Sequence, residues 1–447
     1  MRTWIRNPLA VWTGNSSNAT AGIVVDDEAI VELVAEGDVP AEHEEEFDAA
    51  GLVVTPGLVN THHHFYQTLT RAHPAALDKA LFPWLRSLYP IWARLSEDDI
   101  ALSTELAVAE LMLSGCTTTV DHHYLFTDAL AHAIDVQVEV TARRGMRTVL
   151  TRGSMSRGQS AGGLPPDSVV QREDDILADS ERLIARYHDA QSGAMTRVAL
   201  APCSPFSVSP ELMRDSAELA RRHGCLLHTH LAETEDESEY CVSRFGKRPV
   251  ELLDELGWLA DDVWVAHGIH FTNDEVQRLG AAGVGVSHCP SSNMVLASGV
   301  CRTLELEAAG VAIGLGVDGS ASNDANNMIQ EVRQAFLLQR LNFGAERISH
   351  ENALRWATLG GAAVLRRADI GQIAVGARAD LAFFDLDEDR FSGSGDPVAA
   401  LVLCGAHRVA HLMVNGEWRV RDHNLLDTDL ATLRGEHRGA ARRLMAA

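Results

Sequence analysis

Short runs of apolar, often β-branched residues recur along the middle of this chain, and stretches with the period of amphipathic helices separate them. Continuous apolar character over a few residues is typical of parallel strands that are buried on both faces. The helical stretches stop at glycines, as residues 99–114 do before Gly115. Eight alternations of strand and helix predict an α/β fold, a (β/α)8 barrel of the TIM type over residues 57–369. The predicted strands are residues 58–64, 117–124, 147–155, 197–205, 225–233, 263–270, 283–290 and 312–319.

The two ends of the chain carry shorter strand-like pieces, which are split by acidic turns. Asn415-Gly416 near the end is a strong hairpin turn signal. Neither end has enough apolar strand to form a core of its own. We therefore predict that residues 1–56 and 370–447 meet as one small β-sandwich beside the barrel.

Polar residues follow several of the apolar runs at the point where each predicted strand ends. In barrels of this kind the functional site forms at these carboxyl ends. Imidazole nitrogens and a carboxylate suit Zn²⁺ or Fe²⁺, and a coordination position left open for water makes such a site catalytic. The pattern therefore favours metal-activated hydrolysis over a structural zinc site, which is usually rich in cysteine. The residues are His62, His63 and His64 after the first strand, His228, His230 and Glu233 after the fifth, His267 after the sixth, and Asp318 after the eighth.

The spacing within these groups suggests how one ion could be held. His62 and His64 are two residues apart on a predicted strand, so their side chains point to the same side, whereas His63 points away. His228 and His230 also share one side, and the pattern alone leaves both open as the next ligand. If the ligand is His230, the carboxylate three residues later can reach over the metal-bound water.

Proton transfer is the chemistry predicted for the remaining polar groups. Glu233 can move protons between water and a substrate nitrogen. Asp318 is the predicted last ligand and can take the first proton from the water, whose pKa the metal lowers from about 15.7 towards about 7. His267 is placed to stabilise charge that develops on the substrate.

Composition and charge narrow the class of partner and the compartment. The 447 residues include 38 basic and 62 acidic side chains, a formal charge of −24, which argues against nucleic acid and anionic membranes as partners. No stretch approaches the roughly 18 apolar residues of a membrane span, and residues 1–10 do not read as a signal peptide. Seven scattered cysteines without a CxxC pair fit reduced thiols. We expect a cytoplasmic homo-oligomer.

The strand-end motifs resemble those of the amidohydrolase superfamily, and the resemblance spans the whole chain. The motifs are PGLVNTHHH at residues 56–64, HTHLAE at 228–233, AH at 266–267 and GVDGS at 316–320. The resemblance implies the mononuclear-metal subtype, with His62, His64, His230 and Asp318 as ligands to one divalent metal, Zn²⁺ before Fe²⁺. It implies Glu233 and His267 as the proton carriers. Members with two metals use a modified lysine on a barrel strand, and both lysines, Lys79 and Lys247, fall outside the predicted strands.

Within this branch the chain is similar to nucleobase and aminotriazine deaminases, and most similar to 8-oxoguanine deaminases. The segments that carry this likeness are LYPIWAR at residues 88–94, GQSAGGLPPD at 158–167 and APCSPFSV at 201–208. The resemblance implies a hydrolase of cyclic amidines that converts 8-oxoguanine and water to urate and ammonia, with isocytosine-like rings as further candidates. The alternatives are an s-triazine hydrolase that releases an amino, alkylamino or chloro group, and a non-catalytic scaffold.

A small nucleobase-type ring is thus the expected partner, and several residues are predicted to bind it. Long loops over residues 65–94 and 156–166 are predicted lids or substrate walls. The carboxamide of Gln67 can pair with a ring carbonyl and a ring N–H together. Trp92 is predicted either to contact the ring or to pack in the core, and Cys203 to form a small apolar wall. The predicted substrate-binding residues are Gln67, Trp92, Cys203, Glu233 and His267, while His122, His123, His228 and His288 have no assigned role.

Overall fold

A closed barrel of eight parallel strands forms the centre of the computed structural model, which describes residues 1–446. Each strand pairs with the next along the chain, and the ring closes where Leu315 of the last strand pairs with Asn60 of the first. The predicted (β/α)8 barrel is therefore confirmed. The barrel strands are Leu58–Asn60, Cys116–His123, Arg147–Ser154, Thr196–Pro202, Leu227–Leu231, Val263–His267, Gly285–His288 and Ile313–Leu315.

The helices cover the outside of the barrel, and local sequence sets their ends. Helix Pro210–His223 begins after Ser209, whose hydroxyl accepts a hydrogen bond from the N–H of Leu212 at 2.9 Å. It ends at Gly224, which takes a left-handed conformation with φ of 68°. No helix within residues 1–446 is both long and apolar enough to cross a membrane. The α-helices are Leu81–Trp92, Glu97–Leu113, Ala133–Arg144, Glu173–Tyr187, Pro210–His223, Glu235–Phe245, Pro249–Glu255, Asn273–Ala282, Pro290–Val295, Thr303–Ala308, Met328–Phe343, His350–Arg355, Gly361–Val364, Pro397–Ala400 and Leu430–Ala446.

Two sheets beside the barrel draw strands from both ends of the chain, as predicted for the small β-sandwich. A shared apolar core, which includes Ile5, Ile23, Val54, Phe383 and Met413, joins them. The bounds of the two domains stay a prediction. In spatial order, one sheet contains Ala29–Val34, Gly22–Asp26, Arg2–Arg6 and Glu45–Asp48. The other contains Asn424–Leu425, Glu417–Arg421, His411–Val414, Leu381–Asp385, Leu52–Pro56 and Ala10–Val11.

A buried ion pair connects this sandwich to the barrel. The guanidinium of Arg147, at the start of the third barrel strand, lies 3.1 Å from the carboxylate of Asp380, and both side chains are almost fully buried. The same carboxylate accepts a hydrogen bond from the N–H of Asn415 at 2.7 Å. The pair therefore lies at the end of the barrel opposite the predicted site.

The first barrel strand is shorter than predicted and ends at Asn60. The Asn60 amide donates to Thr119 Oγ1 at 3.0 Å, and its side-chain carbonyl oxygen accepts from the N–H of Val317 at 2.9 Å. Backbone hydrogen bonds to both neighbouring strands continue beyond this residue, since His62 accepts from the N–H of Asp318 at 3.0 Å and His63 from that of His122 at 2.7 Å. His62 and His64, which were predicted on the strand itself, lie beyond its end.

The last helix, Leu430–Ala446, packs on the barrel side of the molecule. It contacts helix Glu97–Leu113 and the 3-10 helix Phe65–Thr70, which directly follows the first barrel strand. His437 Nε2 lies 3.0 Å from Thr68 Oγ1. The end of the chain thus braces the segment that carries Gln67.

Candidate metal centre and substrate cavity

The four predicted ligands come together at the carboxyl ends of the barrel strands. Asp318 Oδ1 lies 3.4 Å from His62 Nε2 and 3.3 Å from His64 Nε2. His230 Nε2 lies 3.2 Å from His64 Nε2. Three imidazoles and one carboxylate that converge from three different strand ends are the donor set of a catalytic divalent metal site.

Backbone carbonyls hold two of these rings in the orientation that a metal needs. The Nδ1 of His64 lies 2.7 Å from the carbonyl oxygen of His122, and the Nδ1 of His230 lies 2.7 Å from that of Cys203. Because a carbonyl only accepts, Nδ1 carries the proton in each ring. Both Nε2 atoms are therefore left as lone-pair donors.

His62 is held by another histidine instead of a carbonyl. Its Nδ1 lies 2.8 Å from His228 Nε2, and His228 Nδ1 lies 2.9 Å from the carbonyl oxygen of Trp264. The carbonyl makes His228 Nδ1 a donor, so His228 Nε2 accepts from His62. Buried His62 Nε2 is left without a hydrogen-bond partner among the described residues, as expected of an atom that coordinates a metal. His228, one of two open choices in the sequence, lies behind a ligand, whereas His230 joins the cluster.

Burial keeps the ligand imidazoles neutral, which is the form that binds metals. It lowers the pKa of His64 to about 3 and holds the pKa values of His62 and His230 below the usual value for histidine. Burial alone would raise the pKa of Asp318, but the adjacent imidazoles, His62 first, lower it well below its usual range. An anionic carboxylate beside three neutral imidazoles fits a divalent cation.

Glu233 and His267 lie beside this cluster and contact each other. Glu233 Oε2 is 3.4 Å from His267 Nε2, while His267 Nδ1 is 3.0 Å from Asn293 Oδ1. Burial raises the pKa of Glu233 although His267 opposes the shift. Burial would lower the pKa of His267, but the carboxylates of Glu233 and Asp318 raise it. Glu233 therefore holds its proton, and His267 its positive charge, to higher pH than the same groups do in water.

Strained backbone positions present these groups. Ala232, His267 and Asp318 adopt positive φ values of 52°, 71° and 60°, which non-glycine residues rarely take. The buried carboxylate of Glu237 accepts hydrogen bonds from the N–H groups of Ala232 at 3.0 Å and Glu233 at 3.1 Å. Sequence analysis missed Glu237, since an acidic residue in the first turn of a helix is common on a solvated surface.

An apolar cavity opens directly over the ligand cluster. Its floor contains His64, His230, Glu233, His267 and Asp318. Helix Leu81–Trp92, which lies in the loop predicted to be a substrate wall, forms much of one side. Aromatic and aliphatic side chains make up most of its wall, and a few polar groups lie between them. The wall residues are Gln67, Leu81, Trp84, Leu85, Tyr89, Tyr124, Cys203, Phe206, Leu296 and Ser322.

These observations agree with a family match. The model of the amidohydrolase family matches residues 53–419. The chain belongs to the amidohydrolase family. The predicted resemblance and the predicted hydrolase class are confirmed.

Individual amidohydrolases match the chain over its full length. An 8-oxoguanine deaminase of Pseudomonas aeruginosa is 61% identical over 100% of this chain and 99% of its own. An isoxanthopterin deaminase from an unknown prokaryotic organism is 37% identical over 99% of this chain and 97% of its own. Among solved structures, an atrazine chlorohydrolase from Arthrobacter aurescens TC1 complexed with zinc has a TM-score of 0.92 at 29% identity, covering 98% of this chain and 100% of that one. The resemblance to 8-oxoguanine deaminases is thereby confirmed.

Four of the five predicted substrate contacts line the cavity of this amidohydrolase, and Trp92 does not. Gln67 lies against Gly319, where any side chain would collide with its amide, and its Oε1 accepts from the N–H of Ala321 at 3.3 Å. Cys203 forms part of the wall, and burial raises the pKa of its thiol to about 12, so it remains a neutral surface. Trp92 is not among the lining residues within 1–446; its ring packs against that of Trp84 at 5.5 Å, and its Nε1 donates to Thr70 Oγ1 at 3.1 Å. This placement favours packing in the core, and contact of Trp92 with the substrate ring stays a prediction.

The histidines without an assigned role pack behind the amidohydrolase site. His123 Nε2 lies 2.7 Å from the carbonyl oxygen of Leu125, and His288 Nε2 lies 3.1 Å from Gln339 Nε2. The ring of His122 stacks on His230 at 4.7 Å between centroids. All three are fully buried, and burial lowers their pKa values. His122 thus supports the His230 ring by stacking, whereas the contacts of His123 and His288 are with Leu125 and Gln339.

Proposed function

We propose that this amidohydrolase is a metal-dependent deaminase of aminated purine-type rings, and that it converts 8-oxoguanine and water to urate and ammonia. The observation that carries the proposal is the contact between Glu233 and His267 beside three imidazoles and Asp318, on the floor of an apolar cavity. The full-length identity of 61% to an 8-oxoguanine deaminase supports the choice of ring.

The proposed ion is Zn²⁺, with Fe²⁺ as the second choice. Three neutral imidazoles and a carboxylate suit both ions. The zinc in the solved atrazine chlorohydrolase supports the first choice. When bound, such an ion supplies hydroxide at neutral pH, because it lowers the pKa of water from about 15.7 towards about 7.

The protein side chains move the protons. Asp318 accepts a proton from the attacking water. Glu233, whose pKa burial raises, donates a proton to the ring nitrogen next to the amine-bearing carbon, which makes that carbon electrophilic. His267 hydrogen-bonds the oxygen that adds to this carbon. The proton held by Asp318 then passes to the amine, and the hydroxyl of the adduct gives its proton back to Glu233, so that the C–N bond breaks, ammonia leaves and a ring carbonyl remains.

The cavity walls fit a flat ring with polar edges. Trp84 and Phe206 supply apolar faces, and the Gln67 amide lies at the wall nearest Asp318, beside Gly319. A carboxamide can pair with a ring carbonyl and the adjacent ring N–H at once. Such an arrangement favours an oxidised nucleobase over a chain-like amide.

A panel of ammonia-release assays tests the proposal. The substrates are 8-oxoguanine, guanine, isocytosine, cytosine, adenosine and aminotriazines, each assayed with zinc-loaded protein. The highest kcat/KM is expected for 8-oxoguanine, and near one equivalent of metal is expected by elemental analysis. Release of ammonia from adenosine or a triazine alone would contradict the choice of ring, and protein that binds no metal would contradict the mechanism.

Hydrolysis of a triazine ring is the second candidate, which the TM-score of 0.92 to an atrazine chlorohydrolase favours. A chloride leaving group departs without a proton, whereas an amine needs one. The paired Glu233 and His267 therefore favour loss of ammonia. A non-catalytic scaffold has no need of either group or of the four ligands.

Assembly and location complete the proposal. We keep the expectation of a cytoplasmic homo-oligomer that binds no nucleic acid. Light scattering after size-exclusion chromatography will give the number of copies, and fractionation of cells will give the compartment.

A further inference from the structure

Most polar side chains on the cavity wall already have hydrogen-bond partners. The Gln67 amide accepts from the backbone of Ala321, and the hydroxyl of Ser322 lies 2.9 Å from that of Ser292 and donates to the carbonyl of Gly319. These groups are held in place by the protein before any ligand binds.

Tyr89 differs from them. It lines the cavity and is only 1% exposed, yet its hydroxyl has no hydrogen-bond partner within residues 1–446. A buried hydroxyl without a partner is costly, and native structures contain few such groups. At the wall of a binding cavity, the missing partner is expected to come from the ligand.

The position of Tyr89 indicates which part of a ligand it meets. Tyr124, another cavity residue, packs on the ligand rings of His64 and His230, with centroids 5.2 and 6.2 Å apart. Tyr89 packs on Trp92 at 5.9 Å instead, and among the described residues its ring is not paired with any of the ligand rings. Tyr89 therefore lies further from the ligand rings than Tyr124 does.

A bicyclic substrate extends into that region. Its amine-bearing carbon lies over the ligand cluster, and the Gln67 amide is near enough to Asp318 to hold the six-membered ring. The five-membered ring then projects away from the metal, and in 8-oxoguanine this ring carries a carbonyl group. A phenol donates a hydrogen bond to such an oxygen.

We infer that Tyr89 determines specificity by donating its hydroxyl hydrogen to the carbonyl of the five-membered ring of an oxidised purine. The inference rests on the proposed function and extends it, since it assigns the recognition of the second ring to one residue. A binding site discriminates against an analogue if one of its buried hydroxyl groups needs a hydrogen-bond partner that the analogue does not offer.

Two substrates and two variants test the assignment. Isocytosine keeps the amine-bearing carbon and neighbouring carbonyl of 8-oxoguanine but lacks the second ring. Tyr89→Phe removes one hydroxyl and keeps the aromatic packing. Tyr66→Phe is the matched control. Tyr66 belongs to the same buried aromatic cluster, and its hydroxyl also has no hydrogen-bond partner among the described residues. Unlike Tyr89, it is not among the described residues that line the cavity.

Tyr89→Phe should lower kcat/KM for 8-oxoguanine about 10- to 100-fold. It should change the value for isocytosine less than about threefold, and Tyr66→Phe should leave the ratio of the two substrates as in the wild type. Equal losses with both substrates, or no loss with either, would overturn the assignment while wild-type turnover of 8-oxoguanine still supports the proposed function. A wild-type protein that releases no ammonia from 8-oxoguanine would overturn both.

Discussion

Hydrogen bonds within the protein fix which nitrogen of each ligand imidazole carries the proton. A backbone carbonyl oxygen does this for His64 and another does it for His230. For His62 the partner is His228, whose own proton is held by a third carbonyl. Removing one of these partners should therefore weaken metal binding without removing a ligand.

We predict that His228→Ala weakens metal affinity about 10- to 100-fold, because His62 loses the acceptor that holds its Nδ1 proton. His230→Ala should lose most of its metal, since it removes a donor. Competition with a chelator measures both effects. His288→Ala is the control, a buried histidine that contacts Gln339 instead of a ligand. If the His228→Ala variant binds the metal as tightly as the control variant does, the hydrogen bond between His62 and His228 has no role in metal binding.

We predict that Glu233→Gln keeps its metal but loses on the order of 10²- to 10⁴-fold in kcat. In the wild type, the hydroxyl of Ser298 donates to the Glu233 carboxylate at 3.3 Å, and the amide oxygen of the variant can still accept this hydrogen bond. It cannot deliver a proton to the ring nitrogen. Steady-state ammonia release together with elemental analysis separates the two effects, and turnover close to wild type would show that another group protonates the ring.

We predict that Gln67→Ala lowers kcat/KM by an amount equivalent to about 1–3 kcal/mol, the usual cost of one lost hydrogen bond to a buried group. Metal content should not change, because Gln67 contacts the loop after Asp318 through Ala321 and not the ligands themselves. Unaltered kinetics would make Gln67 a packing residue.

At the scale of single elements, the turn after the fifth strand concentrates strain near the proton carriers. Ala232 has a φ of 52°, and the carboxylate of Glu237 accepts from the N–H groups of both Ala232 and Glu233. Burial raises the pKa of this carboxyl to about 7. The helix that follows the turn therefore supplies the group that holds the turn in shape.

We predict that Glu237→Ala destabilises the protein by about 1–3 kcal/mol and lowers kcat, because two buried N–H groups lose their acceptor. Glu239→Ala, an exposed change in the same helix, is the matched control. Thermal unfolding and ammonia release measure the two effects. A Glu237 variant as stable and active as the Glu239 variant would show that the turn holds its shape unaided.

How far the sequence predicts each element depends on what fixes that element. The eight strands were found because burial on both faces leaves a continuous apolar run. The predicted first strand extends too far, because the backbone of His62 and His63 stays hydrogen-bonded to both neighbours after the regular ladder has ended. The converging ligands were predicted from strand-end positions, whereas Glu237 and Tyr89 look ordinary in the sequence. Their roles arise only when distant segments pack together.

At the scale of the whole molecule, the barrel and the sandwich share the buried pair of Arg147 and Asp380. Removing one partner of such a pair leaves an uncompensated charge in the interior. The two parts therefore depend on each other for stability, although the pair lies far from the metal ligands.

We predict that Asp380→Ala lowers the free energy of unfolding by about 3–5 kcal/mol. The backbone N–H of Asn415 also loses its acceptor. Chemical denaturation measures the change, with Asp387→Ala as an exposed control on the segment that follows the same strand. Stability equal to that of the control would mean that the pair contributes nothing at this junction.

One sheet of the sandwich cannot be completed until late in the synthesis of the chain. Strand Leu52–Pro56 lies between Ala10–Val11 and Leu381–Asp385 in the finished sheet. At about 5–20 residues per second, a ribosome needs roughly 20 to 60 seconds to make the chain between these partners. During that time one edge of Leu52–Pro56 is open to strands of other nascent chains. His437, which braces the segment of Gln67 through Thr68, emerges later still. The segment of Gln67 thus receives this brace only after all eight barrel strands have been synthesised.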